Sequence, residues 1–133
     1  MIYNGQEAGN DRRLSFFSRD PIDWVQHRTA DFYRRLIGLR RDTPALWSGR
    51  WGAPMISVPT DHASEVIGFV RQDEHHKVFA IFNFSNRALT ANLFEELYVG
   101  RYTDFLSGRP VTLGPGASID LPAWDYRVLV SGT

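Results

Sequence analysis

An antiparallel β-sandwich preceded by a short helical segment is the fold this sequence predicts, and three observations carry it. Apolar residues recur at helical spacing between positions 29 and 42, whereas after about position 52 the period falls to two. Eight short β-type runs follow within about eighty residues, separated by turn-forming Gly, Pro, Asn and Asp. The chain has 133 residues, room for one domain and a piece of another at roughly 100–200 residues each. A complete (β/α)8 barrel, at about 250 residues, is excluded.

The helix comes first in the chain. Phe32, Leu36 and Leu39 fall on one face, Tyr33 and Ile37 widen the stripe, and Arg34, Arg35 and Arg41 lie mostly opposite. Thr29 is placed to cap the start, Asp31 puts an acid in the first turn, and Arg40 and Arg41 favour the C-terminal dipole. Pro44 forbids continuation. The start Met1-Ile2-Tyr3 reads as a short strand with no sheet of its own to join, which suggests that something is missing upstream.

The β-type runs are expected at 55–58, 66–71, 78–84, 89–93, 102–105, 110–113, 117–121 and 126–130. In the third, Val78, Ala80, Phe82 and Phe84 alternate with Phe79 and Ile81, so this strand is expected to be central and covered on both faces. In the seventh, Ala117, Ile119 and Leu121 alternate with Ser118 and Asp120, the pattern of a half-exposed strand. Gly114-Pro115-Gly116 reads as a tight hairpin connection, and Ser107-Gly108-Arg109-Pro110 as another turn.

Composition narrows the classes of function. Hydrophobic residues make up 43%, enough for a real core, and fifteen basic residues balance fifteen acidic ones. A neutral chain has no overall field for nucleic acid or an acidic membrane. The first fifty residues carry nine arginines against six acids, and the rest reverse that ratio, which hints at two differently built segments. The absence of cysteine removes disulfides, thiolate catalysis and Cys-ligated zinc. No apolar run approaches the ~18–20 residues of a membrane span, and the first residues lack the pattern of a signal peptide. No cofactor motif occurs, and the compartment stays open.

Several segments together resemble one known family. Ile2-Tyr3-Asn4-Gly5-Gln6-Glu7-Ala8-Gly9 is similar to the last barrel strand of the α-amylase family of glycoside hydrolases. Arg13-Leu14-Ser15-Phe16-Phe17, running on to Asp20-Pro21-Ile22-Asp23-Trp24, resembles the loop after that strand. Phe32-Tyr33-Arg34-Arg35-Leu36-Ile37-Gly38-Leu39-Arg40, before Pro44-Ala45-Leu46, resembles the last barrel helix. Val78-Phe79-Ala80-Ile81-Phe82-Asn83-Phe84-Ser85 and the closing run 121–130 resemble strands of the family's C-terminal β-sandwich, domain C. Each piece alone is weak, but their order and spacing are specific.

The resemblance implies a last βα unit of a (β/α)8 barrel over residues 1–50 and a Greek-key domain C over 51–133. It implies that the parent enzyme acts on α-glucans with retention, and that its aspartate nucleophile, glutamate acid/base and second aspartate all precede this segment. A retaining glycosidase needs two carboxyl groups about 5–5.5 Å apart. The chain alone is then expected to be inactive, with a role in packing on the barrel. A stand-alone α-glucan-binding module is the alternative.

Candidate sites follow from the same carry-over. Glu7 sits where barrels build active sites, either touching sugar or supporting the barrel mouth. Asp11 and Arg13 resemble an Asp and an Arg that hold a glucose ring in some family members, although the spacing between them is shorter here; the plain reading is a surface ion pair. His75-His76 with Asp73 and Glu74 resembles metal ligands, but adjacent side chains rarely converge on one ion, and no metal site is expected. Trp47, Trp51, Trp124 and Tyr126 could stack on glucose, or fill the join between packed layers. Asn83-Phe84-Ser85 fits the N-glycosylation pattern but falls in a strand expected to be buried.

Overall fold

The computed structural model describes residues 2–15 and 17–132, and its contacts divide the chain into two compact units between Asp42 and Thr43. That division lies eight residues before the 50/51 boundary expected from the sequence. Residues 43–51 form two 3-10 turns, Pro44–Leu46 and Gly49–Trp51, and the first lies against the β-sheet of the second unit. Among the described residues no helix is long and apolar enough to cross a membrane.

The first unit contains a 3-10 turn, Gln6–Ala8, and helix α1, Arg28–Asp42. Gly5 and Gly9 flank the turn in the left-handed region, and a Cβ on Gly9 would stand 2.7 Å from the His27 ring, so only glycine fits there. Ile2 and Tyr3 are exposed and not in a strand, unlike the expectation; Met1 lies outside the described residues. A lone strand has no ladder to satisfy its backbone. The helix starts one residue before Thr29, whose hydroxyl is not a cap but donates to the carbonyls of Gln6 and Glu7 at 3.1 and 3.2 Å. Phe32, Leu36 and Leu39 reach only half-burial, and no helix residue is buried.

The second unit carries all eight expected strands: β1 Met55–Val58, β2 Val66–Gln72, β3 His76–Asn83, β4 Leu89–Asn92, β5 Gly100–Asp104, β6 Pro110–Leu113, β7 Ser118–Leu121 and β8 Tyr126–Gly132. Six of them form one antiparallel sheet in the order β1-β2-β3-β8-β5-β6, and β4 pairs with β7 in a second. β8 returns beside β5 after β6 and β7, as in a Greek key. The turn at 107–110 does join a hairpin, β5 to β6. The Gly114-Pro115-Gly116 turn does not: β6 ends in the large sheet and β7 begins in the small one. A local turn signal cannot tell a hairpin from a step between sheets, because pairing is decided by distant partners.

Alternation then builds the core. Val66, Val70, Phe79, Ile81 and Leu129 point inward from the large sheet and meet Ala91 and Leu121 from the small one, with Tyr98 and Tyr102 between. Tyr98 and Tyr102 bury their rings and satisfy their hydroxyls: Tyr102 Oη donates to Tyr98 O at 2.6 Å, and Ala117 N donates to Tyr98 Oη at 3.1 Å. Burial pushes the Tyr102 hydroxyl pKa upward. On the opposite face of β3, Val78 and Ala80 are buried as well, so the two-sided expectation holds there, but Phe82 is half-buried and Phe84 is exposed beyond the strand end.

Arg71 fixes the turns at 43–53 to this outer face. Its guanidinium donates to the carbonyls of Leu46 at 3.2 Å, Trp47 at 2.8 Å and Ala53 at 2.7 Å. Gly52 lets the segment pass, because a Cβ there would lie 1.9 Å from Trp47 O.

Candidate functional site

The first 3-10 turn holds Glu7 and the loop after it Asp11 and Arg13, the three residues singled out from the sequence, and the structure does not bring them together. Glu7 is half-buried, and its Oε2 accepts a hydrogen bond from Gly5 N at 3.1 Å. Its carboxylate thus closes its own loop. Glu7 also lines a groove of about 620 Å3 along one side of α1, with Ile2, Tyr33, Arg34, Ile37 and Arg41, and neither Asp11 nor Arg13 reaches it.

Asp11 and Arg13 are exposed, and neither is tied by a hydrogen bond or ion pair to a described residue. They do not make the surface ion pair weighed above. The structured arginine of this loop is the neighbour, Arg12, which pairs with Asp20 at 2.5 Å and donates to Pro21 O. Asp20 in turn accepts Ser15 N at 2.6 Å, and that bond, with the Arg12 pair, lowers its pKa. Sequence spacing pointed to Arg13 because it stands at a family-like distance from Phe16 and Phe17. Nothing in a linear pattern tells which of two adjacent arginines finds a partner.

The aromatic set divides in two. Trp47 and Trp51 lie on the segment that Arg71 fastens, and Trp51 is 68% exposed with the Arg50 guanidinium 4.5 Å over its ring. Trp124 and Tyr126 belong instead to the entry of β8, where Tyr126 pairs with Phe82 across the sheet at 5.9 Å between ring centroids. Phe82 also stacks with Phe69 at 6.1 Å and Phe84 at 6.0 Å. The sequence reading placed Phe82 and Phe84 in the core and missed this aromatic row, although the period-two spacing of Phe82 and Phe84 carries the signal.

The remaining candidates resolve into turn chemistry. Asp73 Oδ1 accepts His75 N, His76 N and His76 Nδ1 at 2.8, 2.7 and 3.2 Å, closing the turn between β2 and β3. Among the described residues no group of three metal-ligating side chains converges. Asn83 is 2% exposed and its Nδ2 donates to the carbonyls of Arg87, Leu121 and Pro122, so its amide is locked in the fold and closed to modification. A second open groove, about 570 Å3, runs along β6 and β7 between Arg109, Leu113, Ile119 and Arg127.

With this geometry in hand, comparison with known proteins gives a consistent result. The family described as Alpha amylase, C-terminal all-beta domain matches residues 57–131. Alpha-amylase 2 of Dictyoglomus thermophilum is 30% identical over an alignment of 132 residues that takes in 86% of this chain and 21% of that protein. Among solved structures, a maltogenic α-amylase, AmyB from Thermotoga neapolitana, superposes with a TM-score of 0.80 at 17% identity, over 99% of this chain and 32% of that one. An α-amylase from Lactobacillus plantarum gives 0.68 at 17% identity, over 98% and 29%. AmyP, solved with maltotriose, gives 0.62 at 17% identity, over 77% and 20%. At these identities the structural likeness shows the fold alone. The chain spans about a fifth of the curated relative's length and about a third of the Thermotoga chain's.

Proposed function

Because the chain belongs to the α-amylase family through its C-terminal all-β domain, we propose that it is the non-catalytic C-terminal part of a retaining, α-glucan-active glycoside hydrolase. In this reading residues of the first unit belong to the last βα unit of a barrel, and the sandwich packs on that barrel and stabilises it. The observation that carries the reading is the contrast in burial. The sandwich has a closed core, whereas α1, with Leu36, Ile37 and Leu39 along its apolar stripe, has no buried residue.

The ionisable groups whose environment is visible serve the sandwich. Asn92 holds Asp61 ionised and Arg87 holds Glu65, so these groups work as hydrogen-bond acceptors.

The test is a hydrolysis assay of this chain on soluble starch and a chromogenic maltooligosaccharide over long incubation. No release above buffer is expected. Turnover that survives repurification would overturn the reading and make Glu7 and Asp11 the first residues to replace. A second reading, a stand-alone glucan-binding module, is favoured by the exposure of Trp51, Phe84 and Trp124.

A further inference from the structure

We propose that the groove between β6 and β7 binds a small dipolar ligand with an apolar body, the chemistry of a free apolar α-amino acid. β6 is the outermost strand of the large sheet and β7 pairs only with β4 in the small one, so each sheet ends here on a strand with a free side. The groove holds about 570 Å3, in the range of small-molecule sites, and its apolar floor is Val111, Leu113, Ile119 and Leu129. Leu113 and Leu129 belong to the core, and Val111 and Ile119 pack at its margin. The floor is therefore part of the fold itself.

Asp104 supplies the observation that points to a ligand. It is 8% exposed and lines the groove. Its Oδ1 accepts three hydrogen bonds, from Leu106 N at 3.1 Å, Ser107 N at 2.7 Å and Ser107 Oγ at 2.8 Å. Its Oδ2 accepts none from a described residue. Among the described residues no side-chain polar atom sealed from solvent lacks a partner, so Oδ2 is open, and the groove that Asp104 lines is its outlet. A carboxylate taken out of bulk water with one oxygen unpaired is a strong acceptor for a cationic nitrogen.

The groove's own arginines do not fill that role. Arg109 stands across the β5–β6 turn from Asp104, whose N donates to Arg109 O at 2.8 Å, yet the two side chains form no ion pair, and the Arg109 guanidinium bonds no other described residue. Arg127 acts on Asp104 only through its charge and pairs with Asp125 at 3.5 Å. Asp120, the other acid of the groove, accepts Thr90 Oγ1 at 2.6 Å. Two acids and two arginines thus surround an apolar floor, and a ligand of either single sign is repelled by one pair. An α-ammonium on Asp104 Oδ2, an α-carboxylate on Arg109 and an aliphatic side chain over Leu113 and Ile119 use all three features at once.

Titration of the isotope-labelled chain with L-leucine, followed through its amide chemical shifts, tests the proposal. Saturable shifts are expected in the groove strands β6 and β7 and at the turn after Asp104, with a Kd of about 1 mM or tighter. N-acetyl-leucine, which lacks the cation, and leucinamide, which lacks the carboxylate, should bind at least about tenfold more weakly. Arg109→Gln, at an exposed side chain, should weaken leucine to the same extent and keep the native melting temperature. Asp104→Asn, which keeps an acceptor for Leu106 and Ser107 and turns a donor toward the groove, should abolish the shifts; if it fails to fold, Arg109→Gln decides. Absence of saturable leucine shifts overturns the proposal, as do shifts centred outside the groove. N-acetyl-leucine or leucinamide binding like leucine, or an Arg109→Gln chain binding like the native one, overturns it too. These outcomes are independent of the C-terminal-domain reading, which the hydrolysis assay tests separately.

Discussion

Helix α1 and strand β3 each carry a clear apolar pattern and meet opposite fates. β3 places Val78, Phe79, Ala80 and Ile81 at 4% exposure or less, because sheet partners stand on both sides and the two faces are covered by β4–β7 and by the turns at 43–51. α1 has a clean amphipathic stripe, acids and bases at the favourable ends, and no buried residue. Local pattern specifies an element, but burial stabilises it, and isolated helices of about 15 residues are marginal in water. The sandwich is thus a unit with its own core, and the helix an element specified by pattern without a buried residue.

The largest effect that sharpens this contrast is a cavity. Phe79→Ala should cost about 3–5 kcal/mol in urea unfolding followed by tryptophan fluorescence, enough to unfold much of the sandwich at room temperature. Leu36→Ala on the helix should change the same transition by less than about 0.5 kcal/mol. Equal effects would break the comparison.

Next comes the strap over the outer face. Gly52→Ala pushes a Cβ into Trp47 O and toward the Arg71 guanidinium, so the segment must lift, at about 1–3 kcal/mol. Limited proteolysis should then cut first within residues 43–54, whereas the native chain is cut first in the helical unit. A strap as resistant as the native one would show that Arg71 holds it in another way.

The smallest effect is on acid stability. Asp104 is buried, which opposes its ionisation, but hydrogen bonds from Ser107 N, Ser107 Oγ and Leu106 N outweigh that and hold its pKa below the ordinary value. A carboxylate with a depressed folded pKa stabilises the fold above the unfolded pKa of about 4 and loses that contribution as pH falls through its folded value. The melting temperature of the sandwich should therefore be level from pH 8 to about 5 and fall below about 4. Asp104→Asn should be less stable at pH 7 and fall less steeply in acid, as read by calorimetry.

Much of the sandwich was legible because its signals are local: period two gave all eight strands, and Pro44 closed the helix. What was illegible depends on distance. Whether 114–116 joins a hairpin is decided by β4 and β5, far along the chain, and the place of Arg71 depends on three carbonyls of a segment about twenty residues away. At the candidate site, residue types were readable but side-chain partners were not: Arg13, the expected sugar contact, is exposed, and the adjacent Arg12 pairs with Asp20. Phe84 was counted in the core because its parity matched Val78 and Ala80, and the strand ends before it.

Amide hydrogen exchange at pH 7, read by mass spectrometry, separates the two units. β2, β3 and β8 should be protected up to the global stability, while α1 should exchange with no more than about 100-fold protection, or about 3 kcal/mol. Protection across residues 28–42 equal to that of β3 would contradict that difference, by showing that the helix is stabilised within this chain.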